Sequence, residues 1–403
     1  MKTKMNDTCS TPIVDFLSKY AGSKTSRLHM PGHKGVAPAS IPADIKAVYG
    51  YDITEITGAD NLYAPMDIIK ESEDNASAIF GAKTFYSTEG SSLAIKSMLY
   101  LALKHYELNE GPVKEIEKPY IITIGMCHKA LFHAVELLNL RIKRVASYKD
   151  DPETMYKELN LFISEERNKP IGVYVTYPDY FGDFIDLRAL KGLLTLENIP
   201  LLVDGAHCAY YKFLNREKYG RFLHPIDCFA DVVCSSAHKT LPCLTGSSYL
   251  HISESFKDVL MLVKHAMDLF GSSSPSYLIM ASLDAFNAVA NDFEKDLNVF
   301  CNKVYELKRD LINKGFNVKK TDPLRIVVLK DEKYTGNDFA KALRAKECEP
   351  ECFDKEYVIM MLSPYNKDED LVKIKDAFAS LEKSDADLGG EVTQEYDINK
   401  NFS

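Results

Sequence analysis

The sequence predicts an α/β protein: a large domain on a mostly parallel sheet, then a smaller C-terminal α+β domain. Three observations carry that expectation. From about residue 70 the 403-residue chain alternates between helical and strand patterns. Its strand-like runs are continuously apolar, as in strands covered by helices on both faces. Near residue 290 the alternation gives way to one long helical stretch and a short second series of elements.

Residues 1–60 form an N-terminal segment with weak periodicity but special residues, notably "RLHMPGHKG". The large domain is expected over 61–290. "IIKESEDNASAIFGA" and "SSLAIKSMLYLALKHYEL" repeat apolar residues at helical spacing, and "HKALFHAVELLNL" and "DLRALKGLLTLEN" follow suit. Between them "PYIITIG", "IGVYVTYP", "IPLLVDG" and "DVVCSS" read as buried strands. The stretch "NDFEKDLNVFCNKVYELKRDLINKG" predicts one helix ending at Gly315. "PLRIVVLK", "NDFAKALRAKE", "YVIMMLSP" and "DEDLVKIKDAFASLEK" then give strand, helix, strand, helix over a small domain at 291–385. The polar tail, 386–403, is expected to be disordered.

The composition narrows the function classes. A net charge of −9 argues against a nucleic-acid surface, which needs a basic face. No apolar run is long enough for a membrane span, and the start lacks a signal peptide's apolar core, so a cytoplasmic protein is expected. Nine scattered cysteines show no disulfide-scaffold spacing, and Cys208, Cys234 and Cys243 sit in apolar contexts suited to reduced core thiols. Metal-binding motifs and a dinucleotide fingerprint are absent, so no metal site is expected.

In an open parallel sheet, ligands bind beyond the carboxyl ends of the strands, so the polar residues there are the candidates. Gly90-Ser91-Ser92 opens a helix. Its amides and hydroxyls suit a phosphate, although a plain capping serine explains the same text. His128 follows a strand at a helix start and could stack on a flat ring or cap the helix. Asp204 emerges from a buried run, where a carboxylate is costly unless paired. A protonated ring nitrogen is one such partner; a loop cap is the alternative. Ser236 and His238 add possible phosphate donors, and the Lys239 amine can form a Schiff base once desolvated beside other cations. Ser272 and Ser273 precede Pro275 at another helix start.

Taken together, "RLHMPGHKG", "YDITEITGADNLYAP", "CHKA", "VTYPDYFG", "LLVDGAH", "SSAHKTLP" and "SSPSYLIMASLD" resemble the pyridoxal-phosphate-dependent Orn/Lys/Arg decarboxylase family. The resemblance implies the aminotransferase fold, fold type I, and pyridoxal 5′-phosphate as cofactor. It implies that Lys239 holds the cofactor as a Schiff base, Asp204 pairs with the pyridine nitrogen, and His128 and Ala206 cover the two ring faces. Gly90, Ser91, Ser92, Ser236 and His238 would bind the phosphate, and His207 would lie near the reacting centre. Ser272 or Ser273 would reach a phosphate in the neighbouring subunit of a homodimer with shared active sites. The implied reaction converts lysine, ornithine or arginine to its amine, a step of polyamine biosynthesis. Another lyase or aminotransferase reaction, or a non-catalytic homologue that binds the cofactor, is the alternative. Asp52, Glu55 and Asp60 are the candidates for holding a distal cationic group, or else they cap loops and helices.

The text departs from the family pattern in three places. Gly205 stands where glutamate usually follows the aspartate, and Glu89 precedes Gly90 where asparagine is typical. The family's usual C-terminal region, with its proline-rich stretch, is expected to be lacking, since the second domain runs into the polar tail.

Overall fold

The computed structural model describes residues 9–112, 118–145 and 152–382; the polar tail expected at 386–403 lies outside them. The chain divides into two units. Of the described residues, the first holds 9–112, 118–145, 152–177, 185–212 and 223–291, and the second 178–184, 213–222 and 292–382.

The first unit holds seven strands: β1 (Lys83–Ser87), β2 (Tyr120–Ile124), β3 (Arg141–Val145), β4 (Val173–Thr176), β5 (Leu201–Asp204), β6 (Val232–Ser235) and β7 (Ser248–Ile252). They form one sheet in the order β1-β7-β6-β5-β4-β2-β3. Neighbours from β6 through β3 run parallel, while β7 is antiparallel to both β6 and β1. This is the mostly parallel α/β sheet expected. Strands β2, β5 and β6 are buried at every position, which is why their sequences read as unbroken apolar runs.

Helix Gly90–Glu110 covers one face of the sheet. Its Leu93, Ile95, Met98, Leu99 and Leu101 share an apolar cluster with Tyr174, Leu202, Val232 and Cys234 of β4, β5 and β6. Helices Lys129–Leu137 and Val263–Phe270 complete that layer. Helix Leu187–Leu196 starts where Asp186 accepts from the Arg188 and Ala189 amides, both at 3.0 Å, the standard way to satisfy first-turn donors.

The second unit carries an antiparallel sheet of β8 (Asn317–Val318), β9 (Arg325–Leu329), β10 (Cys352–Phe353) and β11 (Tyr357–Met361), in the order β10-β11-β9-β8. Helices Gly336–Arg344 and Asp368–Glu382 belong to it. The first begins with a capping box: Thr335 Oγ1 accepts from the Asp338 amide, and Asp338 Oδ2 accepts from the Thr335 amide.

One element is longer than its sequence suggests. A single helix runs from Tyr277 to Asn313, through the position near 290 where the sequence pattern changes. No glycine or proline interrupts that stretch, so nothing local stops the helix.

Candidate active site

Every strand-end residue singled out from the sequence lies in the first unit. Because β7 runs antiparallel, its first residue shares the edge formed by the carboxyl ends of β1, β5 and β6.

After β1 the chain turns at Gly90, whose φ of +69° is a left-handed conformation that favours glycine. Its N–H donates to the Gly246 carbonyl at 2.7 Å, fastening the turn to the approach of β7. Ser91 Oγ then lies 2.7 Å from Ser236 Oγ and 3.1 Å from Ser248 Oγ. Three hydroxyls thus converge at the start of a 21-residue helix, whose first amides have no intrahelical acceptor. His238 stands beside them: Nδ1–H donates to the Ser247 carbonyl at 2.7 Å, and a Cβ on Gly90 would lie 4.0 Å from its Cε1. Ser92, half-buried, is the next residue of that helix. Hydroxyls, amides and the positive end of a helix are together suited to an anion.

Glu89 is not left beside this anion site unengaged. Its Oε1 accepts the Ser272 N–H, so the carboxylate joins the turn at 272. Ser272 and Ser273 are exposed in the single chain.

Asp204 ends β5 with 2% of its surface exposed. Its Oδ2 accepts from Tyr174 Oη at 2.9 Å, and its Oδ1 accepts from the Ala206 amide at 3.1 Å and the Cys234 thiol at 3.5 Å. These donors are all neutral, which preserves the carboxylate's charge for a cationic ligand. Ala206, also buried, follows on the same turn. Gly205 between them has no room for a side chain: a Cβ would come within 2.8 Å of Cys208 Sγ and 2.9 Å of the Cys234 carbonyl. The glutamate expected there from the family pattern is therefore incompatible with this packing.

Lys239 lies in the single helical turn Ala237–Thr240 after β6. Its Nζ is 3.2 Å from Nε2 of the buried His207. The side chain is exposed, which differs from the desolvated lysine expected from sequence. His128 caps helix Lys129–Leu137, with Nδ1 accepting the Ala130 N–H at 3.2 Å. Burial pushes its imidazole below the usual range and Lys239 adds to this, while the Asp204 charge opposes it. The capping role and nearness to both charged groups thus coexist.

The acidic candidates have different fates. Asp60 accepts five backbone N–H bonds, from Asn61, Met66, Asp67, Ile69 and Lys70, and so fastens the start of helix Ile68–Phe80. Burial raises its carboxyl, but those bonds outweigh burial and hold it below the usual range. Asp52 bonds to His33 Nε2 at 3.0 Å. Among the described residues, Glu55 accepts only from Thr54 Oγ1 at 3.2 Å and Asn61 Nδ2 at 3.4 Å.

Sequence reasoning missed Tyr174 and Ser248 and took Cys234 for core alone. Tyr174 had one signal, a polar atom inside a run otherwise fit for a buried strand.

A lysine, a buried aspartate and a cluster of seryl hydroxyls share the carboxyl edge of this seven-stranded sheet, the layout of fold type I pyridoxal-phosphate enzymes. Within that class the chain belongs to the Orn/Lys/Arg decarboxylase family, whose major-domain model matches residues 11–141 and 151–354. It is 26% identical to an arginine decarboxylase of Bacillus subtilis (strain 168) over 396 residues, covering 92% of this chain and 77% of that protein. An uncharacterised protein of the same organism, YaaO, is 27% identical over 372 residues, covering 88% and 74%. Among solved structures, the Francisella novicida lysine decarboxylase LdcF superposes with a TM-score of 0.77 at 18% identity. That match covers 93% of this chain and 60% of LdcF, so the chain spans well under two thirds of that enzyme.

Pyridoxal 5′-phosphate, the family's cofactor, fits the donor set. The converging hydroxyls and helix start suit its phosphate, the neutrally bonded Asp204 suits a cationic ring nitrogen, and the Lys239 amine suits its aldehyde.

Proposed function

We propose that the chain decarboxylates a basic amino acid (lysine, ornithine or arginine) to the corresponding amine, in the cytoplasm, as a homodimer. Such an amine would serve polyamine biosynthesis. The observation that carries the reading is the 3.2 Å approach of Lys239 Nζ to His207 Nε2 at the edge that also bears Asp204. Family membership supports the choice of reaction.

Bound pyridoxal phosphate supplies a conjugated ring able to take up the electron pair left when carbon dioxide departs. The protein's residues make that possible. Asp204, buried among neutral donors, would keep a proton on the ring nitrogen by electrostatic preorganisation. Gly90, Ser91, Ser92, Ser236 and His238 anchor the phosphate, and Ser248 supports them through Ser91. His128 and Ala206 would cover the two faces of the ring. Ser272 or Ser273 contributes to the phosphate site of the neighbouring subunit. Lys239 Nζ would hold the cofactor, and His207 Nε2, 3.2 Å away, would give a proton to that amine or take one from it. Glu55, whose partners are uncharged, is the carboxylate best suited to a distal ammonium or guanidinium.

The test incubates the protein with pyridoxal phosphate and a mixture of lysine, arginine and ornithine, then identifies amines and carbon dioxide. One of the three amines is expected, with none from Lys239→Ala. Transfer of the amino group to a keto acid without carbon dioxide would overturn the decarboxylase reading in favour of an aminotransferase. Cofactor binding without any turnover would indicate a non-catalytic homologue. For Glu55→Gln, KM for the basic substrate rises about tenfold or more while kcat changes little. An unchanged KM would remove Glu55 from the substrate site.

A further inference from the structure

We propose that Tyr174, supported by Cys234, is a positioning residue that fixes the orientation of the Asp204 carboxylate; this rests on the reading of Asp204 as the cofactor's ring partner. The pairing of β4 with β5 sets Tyr174 opposite Leu202 and Thr176 opposite Asp204. Tyr174 therefore lies one pleat repeat below Asp204 on the same sheet face, within diagonal reach of a long side chain. On the other flank, β6 sets Cys234 directly opposite Asp204.

Each neighbouring strand thus sends one donor, and the two donors take different oxygens: Tyr174 Oη to Oδ2 at 2.9 Å, Cys234 Sγ to Oδ1 at 3.5 Å. A carboxylate gripped on both oxygens cannot rotate without losing both bonds. Tyr174 and Cys234 belong to the apolar cluster beneath helix Gly90–Glu110, where phenylalanine and alanine would satisfy packing alone. The hydroxyl is there because it has Asp204 to bond; left unbonded it would be costly in this surrounding.

Both groups stay protonated and so act as donors. Burial drives the Tyr174 phenol and the Cys234 thiol well above their usual ranges, and the Asp204 charge adds to both shifts. Among the described residues, two titratable groups in the loop after β2 also feel the Asp204 charge. There the Cys127 thiol is pushed up to about 12, chiefly by burial, and His128 is held below its usual range. Lys239 acts on His128 from the turn after β6. The grip therefore adds no charge of its own and leaves Asp204 a net attraction for a cationic ring nitrogen.

The test loads the parent protein, Tyr174→Phe and Cys234→Ala with pyridoxal phosphate, then titrates the bound chromophore against pH and measures kcat and KM. With one donor fewer, the carboxylate holds a cationic partner's proton more tightly. The chromophore of Tyr174→Phe is thus expected to titrate at a pH shifted by roughly one unit from the parent's. Its kcat is expected to fall about tenfold with KM within about twofold, as lost orientation predicts. Cys234→Ala, lacking a longer and weaker bond, shifts the same way by less, and it decides the matter if Tyr174→Phe does not fold. A merely structural role would lower thermal stability and leave the titration in place. A parent that loads normally, with both variants titrating at its pH, overturns this proposal alone. A parent that takes up no pyridoxal phosphate removes the reading of the site, and the proposal with it.

Discussion

His224 and His251 are fully buried, with ring centroids 5.2 Å apart. His251 Nδ1 lies 2.9 Å from Thr84 Oγ1, and His224 Nε2 lies 3.4 Å from Ser235 Oγ. Burial drives both imidazoles well below their usual range, and the Lys212 charge adds to it. The unfolded chain takes up protons at both sites below about pH 6.5, whereas the folded chain refuses them. Stability from this pair is therefore complete above that pH and is lost as pH falls. Asp284 works in the opposite sense: its carboxyl is raised to about 6, chiefly by burial, so it favours the folded state at low pH and loses that contribution as pH rises. The comparison that isolates one histidine is the cofactor-free parent against His251→Phe, by denaturant unfolding between about pH 7 and about pH 5. The variant's stability should fall less steeply, by up to about 1.4 kcal/mol per pH unit. Parallel slopes would show that His251 is charged in the folded state. Lys239, Asp204, His207 and Ser91 were legible as candidates because each is a polar residue at an expected strand end or helix start. Tyr174 was not, because its purpose exists only in the β4–β5 register, which no linear pattern encodes.

The legible strands were those buried on both faces: β2, β5 and β6 announce themselves as apolar runs. β3 did not, since it is an edge strand of sequence Arg-Ile-Lys-Arg-Val, whose Arg141 and Lys143 pair with Glu166. Charges on an edge strand discourage pairing with another chain and conceal the strand in the sequence. β7 was obscured in another way, its apolar pattern being broken by the buried His251. The turn between β1 and its following helix has a sharper consequence. Gly90 needs its positive φ, while a Cβ there meets His238 only at ordinary contact distance. Gly90→Ala should therefore cost about 1 kcal/mol through backbone strain, not collision. Thermal shift with and without pyridoxal phosphate should show the cofactor's stabilisation reduced as well. An unchanged cofactor response would mean that this turn does not hold the phosphate.

At the scale of the molecule, the matched major-domain residues contain the whole constellation, from Gly90 through Ser91, His128, Asp204, His207 and Ser236 to Lys239. No helix among the described residues is long and apolar enough to cross a membrane. The homodimer is an expectation from the family resemblance alone, because Ser272 and Ser273 read locally as a helix start. Sedimentation of the loaded protein should give a dimer, and a monomer with full activity would contradict shared active sites. The central claim is that Lys239 carries the cofactor. Borohydride reduction of the loaded protein, followed by digestion and peptide mass mapping, tests it directly. A phosphopyridoxyl group is expected on the peptide containing Lys239; modification of another lysine, with Lys239 untouched, would contradict its role as the cofactor's anchor.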